Sequence, residues 1–210
     1  MAAKGSTVGI VFASEEEALP FLRRYERGRF DALREGETMF DDDLVVALTG
    51  VGKIKATLRT ERMLQHHRPR RLLHVGTCTA LSERLEVGQI VGAAQVFEGD
   101  RIEMAAPTYP RMPLEVPFEG LSQGTLVTQD HMIKGDTEQS YWQRIADMSD
   151  MTGYAVAYVT ATYGIPCHII KVVAGRTGQE DRQFRKTLGA AYDAIADFLL
   201  REMEVLLRHG

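Results

Sequence analysis

Two hundred and ten residues, 44% apolar and 26% charged, are enough chain for one good-sized domain with a large buried core. The formal charge of −4, from 25 basic and 29 acidic side chains, supplies no basic footprint for nucleic acid, and no apolar run is long enough to span a bilayer. Cys78 and Cys167, the two cysteines, each sit inside an apolar run and form neither a disulfide framework nor a metal-binding pair; with no signal-peptide pattern at the N-terminus, a cytoplasmic location is expected.

Residues 7–12 (TVGIVF) read as a buried strand that feeds a helix, with Ser14 as N-cap and Glu17 three residues on completing a capping box. Pro20 is expected to bend or shorten that helix. Residues 44–48 (LVVAL) form a second strand, turning through residues 49–52 into a helix that carries Ile54, Leu58 and Met63. Residues 72–75 form a third, ending in a tight turn over residues 76–79. These runs are apolar on both faces, as strands covered by helices on each side must be, so the fold class is α/β. Residues 87–97 continue as strand, whereas 106–117 hold four of the chain's seven prolines and read as an irregular loop suited to a lid or a subunit contact. A short strand at 125–128, a short helix at 138–146 and a buried helix at 153–163, closed by Gly164 and Pro166, follow. Residues 167–174 (CHIIKVVA) make a central strand, and 183–208 a long helix with Phe184, Leu188, Ala191, Ile195, Phe198 and Leu199 on one face. No repeat or linker interrupts the chain, which is read as one domain over residues 1–210.

Ligands in α/β sheets gather at the carboxyl ends of strands. Small or polar residues mark five such ends, at residues 13–17, 49–53, 76–79, 128–133 and 175–179. A tight turn at Gly76-Thr77-Cys78-Thr79 would offer backbone N–H groups and hydroxyls to a small polar ligand; the same residues also suit a plain strand-end turn. A carboxylate among Glu15, Glu16 and Glu17 aimed into a pocket takes a proton from water, but acids in a first helical turn are what the helix dipole and the capping box favour in any case, and spacing alone favours that reading. His74 and His168 read as satisfied core or edge histidines, and His66, His67 and His209 lie in polar helix-end contexts. No metal-ligand spacing, serine-hydrolase signature or phosphate-binding loop occurs, so no metal and no cofactor is expected.

Five segments in order, VGIVFASEEEALPFL (8–22), LTGVGKIKA (48–56), HVGTCTALSERLEVGQIV (74–91), LVTQDHMIKGD (126–136) and DMTGYAVAYVTATYGIPCHIIKVVAG (150–175), resemble the nucleoside phosphorylase/nucleosidase superfamily. Within it the sequence is most similar to 5′-methylthioadenosine/S-adenosylhomocysteine nucleosidases. The resemblance implies a central mixed, partly barrel-like sheet wrapped by helices, a small-molecule nucleoside as ligand, and a homodimer. It also implies roles: Glu17 as the water-activating carboxylate, Thr77 as a hydroxyl beside that water, Met132 and Ile133 against the base, and Met151 under the ribose.

Three positions depart from the family's pattern, one of them Thr79, which stands where a small glycine is usual and crowds the base or sugar. The ribose motif Asp-Met-Glu-(Ala/Ser) reads Asp150-Met151-Thr152-Gly153 here, which leaves Thr152 facing the sugar. The general acid of the Ser-Asp-(Asn/Val)-Ala pattern is replaced in Ala174-Gly175-Arg176-Thr177, and losing a positioned acid costs about 10²–10⁴-fold in rate. Arg176 follows the vacant position, and Arg176-Thr177-Gly178-Gln179-Glu180 resembles a stretch of uridine phosphorylases, so a guanidinium stabilising the leaving base is one expectation. Asp130 and Asp181 are other candidate acids. An N-ribosyl hydrolase with Glu17 as base is the leading reading; a pyrimidine-leaning phosphorylase and a non-catalytic nucleoside-binding protein are the alternatives. The acidic run 15–17 opposes a phosphate dianion and favours water as nucleophile.

Overall fold

Buried β-branched and leucine-rich runs dictate strands here, and the amphipathic runs between them dictate helices. The computed structural model describes residues 7–25, 30, 33–41, 43–101, 109–178 and 181–208, with only the backbone of residue 181. Residues 106–108 of the proline-rich stretch, Gln179, Glu180, the Asp181 side chain and His209 lie outside the described residues. In chain order the elements are β1 (Val8–Phe12), α1 (Glu15–Arg24), β2 (Thr38–Phe40), β3 (Leu44–Leu48), α2 (Lys53–His67), β4 (Arg71–Ala80), β5 (Ile90–Glu98), β6 (Arg111–Pro113), β7 (Ser122–Thr128), α3 (Asp136–Trp142), β8 (Met148–Asp150), α4 (Gly153–Thr162), β9 (Cys167–Arg176) and α5 (Asp181–Leu207).

The sheet is mixed and closes on itself. β4 pairs β9, β9 pairs β5, β5 pairs β7, β7 pairs β8, and β8 returns to β4. From this ring an arm runs outward through β1, β3 and β2, while β6 lies on the edge of β5. Helices α1 and α5 cover one face, with Phe12, Phe21, Leu73, Ile195 and Phe198 in one cluster. Helices α2 and α4 cover the other, with Met63, Leu64, Val156, Ile169 and Val173. The α/β expectation with a partly barrel-like mixed sheet is what the structure shows.

One edge of β4 changes partner along its length, and this opens the sheet. Residues 71–74 pair in parallel with β1, up to Val11↔His74, and residues 79–80 pair antiparallel with β8. Over the intervening stretch β1 and β8 splay apart, so the α1 N-terminus and the β8–α4 junction face each other across a gap at the strand ends, where α/β sheets bind ligands.

Several expectations change. The strand expected to stop at Val75 runs on to Ala80, so residues 76–79 are strand with a register shift at Cys78/Thr79 and not a tight turn; β9 pairs with them throughout and holds them extended. Helix α1 continues through Pro20 to Arg24. In the proline-rich stretch β6 pairs with β5, a site open to Pro113 because β6 is an edge strand. Of the three apolar residues expected to anchor α2, Met63 is buried, while Ile54 and Leu58 are 75% and 61% exposed. The three-residue strands β2 and β8 had no sequence signal, since each owes its conformation to a neighbour.

Candidate active site

Ser14 caps α1 as expected, its side chain accepting from Glu17 N at 3.3 Å. The reciprocal half of the capping box does not form, because the Glu17 carboxylate turns inward. Its Oε1 accepts from Thr77 N at 2.6 Å and Thr77 Oγ1 at 2.7 Å, and its Oε2 from Ala13 N at 3.3 Å. Thr77 N–H is available because β4 has left β1 at this point. Glu17 is 6% exposed, whereas Glu15 and Glu16 face solvent. The acidic wall expected from residues 15–17 is therefore one carboxylate. Close approach explains Gly76: a Cβ there would lie 2.9 Å from both Glu17 carboxylate oxygens.

Glu17 and Thr77 line a cavity of about 420 Å³, within the range of small-molecule sites. Met132, Ile133, Met151, Thr152 and Arg176 line it too, so all seven residues singled out in the sequence converge on one space. Ile133 is buried and Met132 half exposed, and Val51 lines the cavity with them. Arg176 is held to the β4–β5 connection, donating to Leu85 O at 2.6 Å and Ser82 O at 3.4 Å. Gly175, paired with Thr79, brings no side chain. Asp130 is outside the lining; its Oδ1 accepts from Lys53 N at 2.8 Å at the start of α2. Cys78 lines the cavity, but burial pushes its thiol up to about 12, which removes it as a nucleophile near neutral pH.

The deep wall was not legible from the motifs. Lys171, 1% exposed in the middle of β9, reaches Asp150 Oδ2 at 2.8 Å and His74 Nε2 at 2.9 Å. Asp150 also accepts from Thr128 Oγ1 at 2.7 Å and from Gly153 N at 2.8 Å, which caps α4 where Thr152 makes no side-chain cap. Burial opposes its charge, yet the Lys171 ammonium beside it holds the Asp150 carboxyl well below the usual range. Burial first, and then the Lys171 charge, push His74 down from the ordinary histidine value. A lysine inside an otherwise apolar strand was the available signal for this cluster, since buried lysines require a partner. Among the described residues no group of His, Cys, Asp or Glu could hold a metal ion, and no helix is long and apolar enough to cross a membrane.

A closed mixed sheet that splays around a buried carboxylate, with an apolar shelf opposite, defines a small-molecule site with acid–base capacity. A family model of the phosphorylase superfamily matches residues 7–202, and the chain belongs to that superfamily. The chain is 24% identical over 188 residues to the aminodeoxyfutalosine nucleosidase of Campylobacter jejuni, covering 78% of this chain and 82% of that one. It is 22% identical to the 5′-methylthioadenosine/S-adenosylhomocysteine nucleosidase of Bacillus cereus, covering 95% and 99%. Among solved structures it is similar to the apo 5′-methylthioadenosine nucleosidase of Arabidopsis thaliana, with TM-score 0.81, 21% identity and coverage of 99% and 98%. A futalosine hydrolase mutant of Helicobacter pylori gives TM-score 0.82 at 18% identity, covering 95% and 99%.

Proposed function

We propose that the protein is a nucleoside N-ribosyl hydrolase, acting on nucleosides of the methylthioadenosine, adenosylhomocysteine or aminodeoxyfutalosine kind that its relatives are named for. The observation that carries this reading is the Glu17 carboxylate, buried, aimed into the cavity and oriented by two donors of one threonine. Water adds its oxygen to the anomeric carbon and gives a proton to Glu17. The base departs with the electron pair of the glycosidic bond and takes up a proton from solvent, because Gly175 supplies no acid. Met132 and Ile133 hold the base, Met151 and Thr152 the sugar. Arg176, held by two carbonyls, stabilises the leaving base.

We infer that the working form is a homodimer. Val51, Ile54 and Leu58 expose 47%, 75% and 61% of their surface along one side of α2 and the loop before it, and Val51 and the half-exposed Met132 both line the cavity. Large apolar side chains exposed at this spacing beside a binding site favour a protein partner over water. No nucleic acid or membrane partner is proposed, and a cytoplasmic location fits the pair of free, buried cysteines.

The test is release of free base from a panel of purine and pyrimidine nucleosides, with and without phosphate. Hydrolysis independent of phosphate is expected, with Glu17→Gln lowering it by about 10²–10⁴-fold and Arg176→Met by a smaller factor. Phosphate-dependent release, or full activity in Glu17→Gln, overturns the assignment.

A further inference from the structure

Five side-chain hydroxyls line the cavity, and three of them are already engaged. Thr77 Oγ1 donates to Glu17 Oε1 at 2.7 Å, Thr177 Oγ1 donates to the carbonyl of Ala80 at 3.3 Å, and Thr152 Oγ1 lies between His74 Nε2 at 3.0 Å and Asp150 Oδ2 at 3.3 Å. Thr79 and Ser149 are the other two. Neither hydroxyl has a hydrogen-bond partner among the described residues, and both residues are half-buried.

The sheet sets these two side by side. Thr79 of β4 is the register partner of Ser149 in antiparallel β8 and of Gly175 in parallel β9, so the three residues form one row across the strands. Directly opposed residues of an antiparallel pair share a face, with Cβ atoms about 4.5–5.5 Å apart, close enough for both hydroxyls to reach one edge of a flat ring. On the other flank Gly175 adds no side chain over Thr79.

The position of the row along β4 decides what it faces. Thr77 holds the Glu17 carboxylate where water is activated. Side chains two residues apart on a strand point the same way, about 6.6 Å from one another, so Thr79 is the next residue of β4 on that face. Displacement at the anomeric carbon brings water to one side of the sugar and sends the base off the other. With Thr77 marking the side of the water, Thr79 marks the side from which the base leaves.

We propose that Thr79 and Ser149 hold the departing base, with Thr79 donating a hydrogen bond to a ring nitrogen that gains negative charge as the glycosidic bond breaks. The electron pair of that bond stays on the base, the hydroxyl proton stays on Thr79, and solvent supplies the proton that neutralises the base. A fixed neutral donor aimed at developing charge lowers the barrier without transferring a proton. The proposal rests on the nucleoside reading of the cavity and makes Thr79 a catalytic residue within it.

The test measures affinity by calorimetry in a Glu17→Gln background, which slows turnover. The probes are 5′-methylthioadenosine and its 1-deaza, 3-deaza and 7-deaza analogues, each of which exchanges one ring nitrogen for a C–H that accepts no hydrogen bond. At least one analogue is expected to bind roughly 5- to 30-fold more weakly than the parent. That ratio should shrink to about twofold or less on adding Thr79→Val, and return with Thr79→Ser, which restores the hydroxyl. Valine keeps the shape of threonine, and a ratio taken within one variant does not change with the fraction of folded protein, so a merely structural role would leave it intact. Ser149→Ala tests the second hydroxyl in the same way and carries the test if Thr79→Val does not fold. With Glu17 intact, Thr79→Val should also lower kcat for base release by about 10-fold or more. Ratios that Thr79→Val leaves unchanged, an unchanged kcat, or equal affinity for all four probes overturn the proposal and leave the nucleoside reading standing. Failure to bind any of the four overturns the nucleoside reading and this proposal with it.

Discussion

Replacing Gly76 by alanine probes the placement of Glu17 without touching its chemistry. The new Cβ would stand 2.9 Å from both carboxylate oxygens and 3.1 Å from Cδ. An ordinary C···O contact is about 3.4 Å, so the carboxylate must retreat by about 0.5 Å. It is held in place by Thr77 N at 2.6 Å and Thr77 Oγ1 at 2.7 Å, bonds of the charge-assisted kind that contribute about 1.5–3 kcal/mol each. Stretching both costs about 1–3 kcal/mol, a fall in Tm of several degrees for a chain of this size. The catalytic effect is larger, because a displacement of about an ångström at a reacting group costs about 10²-fold in rate. Gly9→Ala is the control: its Cβ would meet Met63 Cε at 2.8 Å and Pro69 Cγ at 3.0 Å, contacts outside the cavity lining. Base release and thermal unfolding are measured on both variants. Gly76→Ala is expected to lose about 10²-fold in base release while Gly9→Ala loses stability alone. Should Gly76→Ala lose stability like the control and retain activity within about threefold, the carboxylate does not work from the position the structure gives it.

Stability is expected to fall as pH drops below about 6.5, because buried His74 and His168 are held below the ordinary histidine value, in both cases first by burial. The unfolded chain protonates them near 6.5 while the folded chain keeps them neutral, so their contribution is complete above that pH. It is lost toward the folded pKa at up to about 1.4 kcal/mol per pH unit for each. Urea unfolding between pH 7.5 and 5 measures it; His168→Gln should remove part of the slope, and a flat profile would contradict the burial argument. For the dimer, Ile54→Glu combined with Leu58→Glu should convert the protein to monomer in sedimentation with unchanged secondary structure, since both side chains are exposed in the protomer. A wild-type protein that sediments as a monomer sinks that reading.

The strands that carry the sheet were legible because burial on both faces leaves a continuous apolar run, as in residues 44–48 and 167–174. β2 and β8 were not, since three residues with polar members become strands only when β3, β4 and β7 stand beside them. The extension of β4 through residues 76–80 has the same cause: glycine and threonine read as a turn until β9 pairs with them. At the site, residue spacing alone favoured helix capping for Glu17, and the motif resemblance tipped it toward chemistry. What placed its carboxylate in the cavity is a contact with Thr77, 60 residues distant. The partners of Lys171 come from β4 and β8, so its role had no local signature beyond an ammonium in an apolar strand.

Two buried carboxylates border this cavity, and their partners divide the work between them. Asp150 is matched by Lys171 and saturated by the Thr128 hydroxyl and the Gly153 N–H, which makes it a fixed structural anion. Glu17 accepts only from uncharged donors, Thr77 and Ala13, and no cation among the described residues pairs with it. Its formal charge is left to act on what enters the cavity. Positive charge growing on a sugar as its glycosidic bond breaks would be favoured by about 4 kcal/mol at a separation of 4 Å and an effective dielectric of 20, and each negative charge of a phosphate would be disfavoured by a like amount. Exchanging the two environments would exchange the roles: an Asp150 stripped of Lys171 would compete for the positive charge, and a Glu17 given a neighbouring lysine would lose its hold on it. On the proposed hydrolytic reading, the selection of water over phosphate lies in which carboxylate was left without a cation.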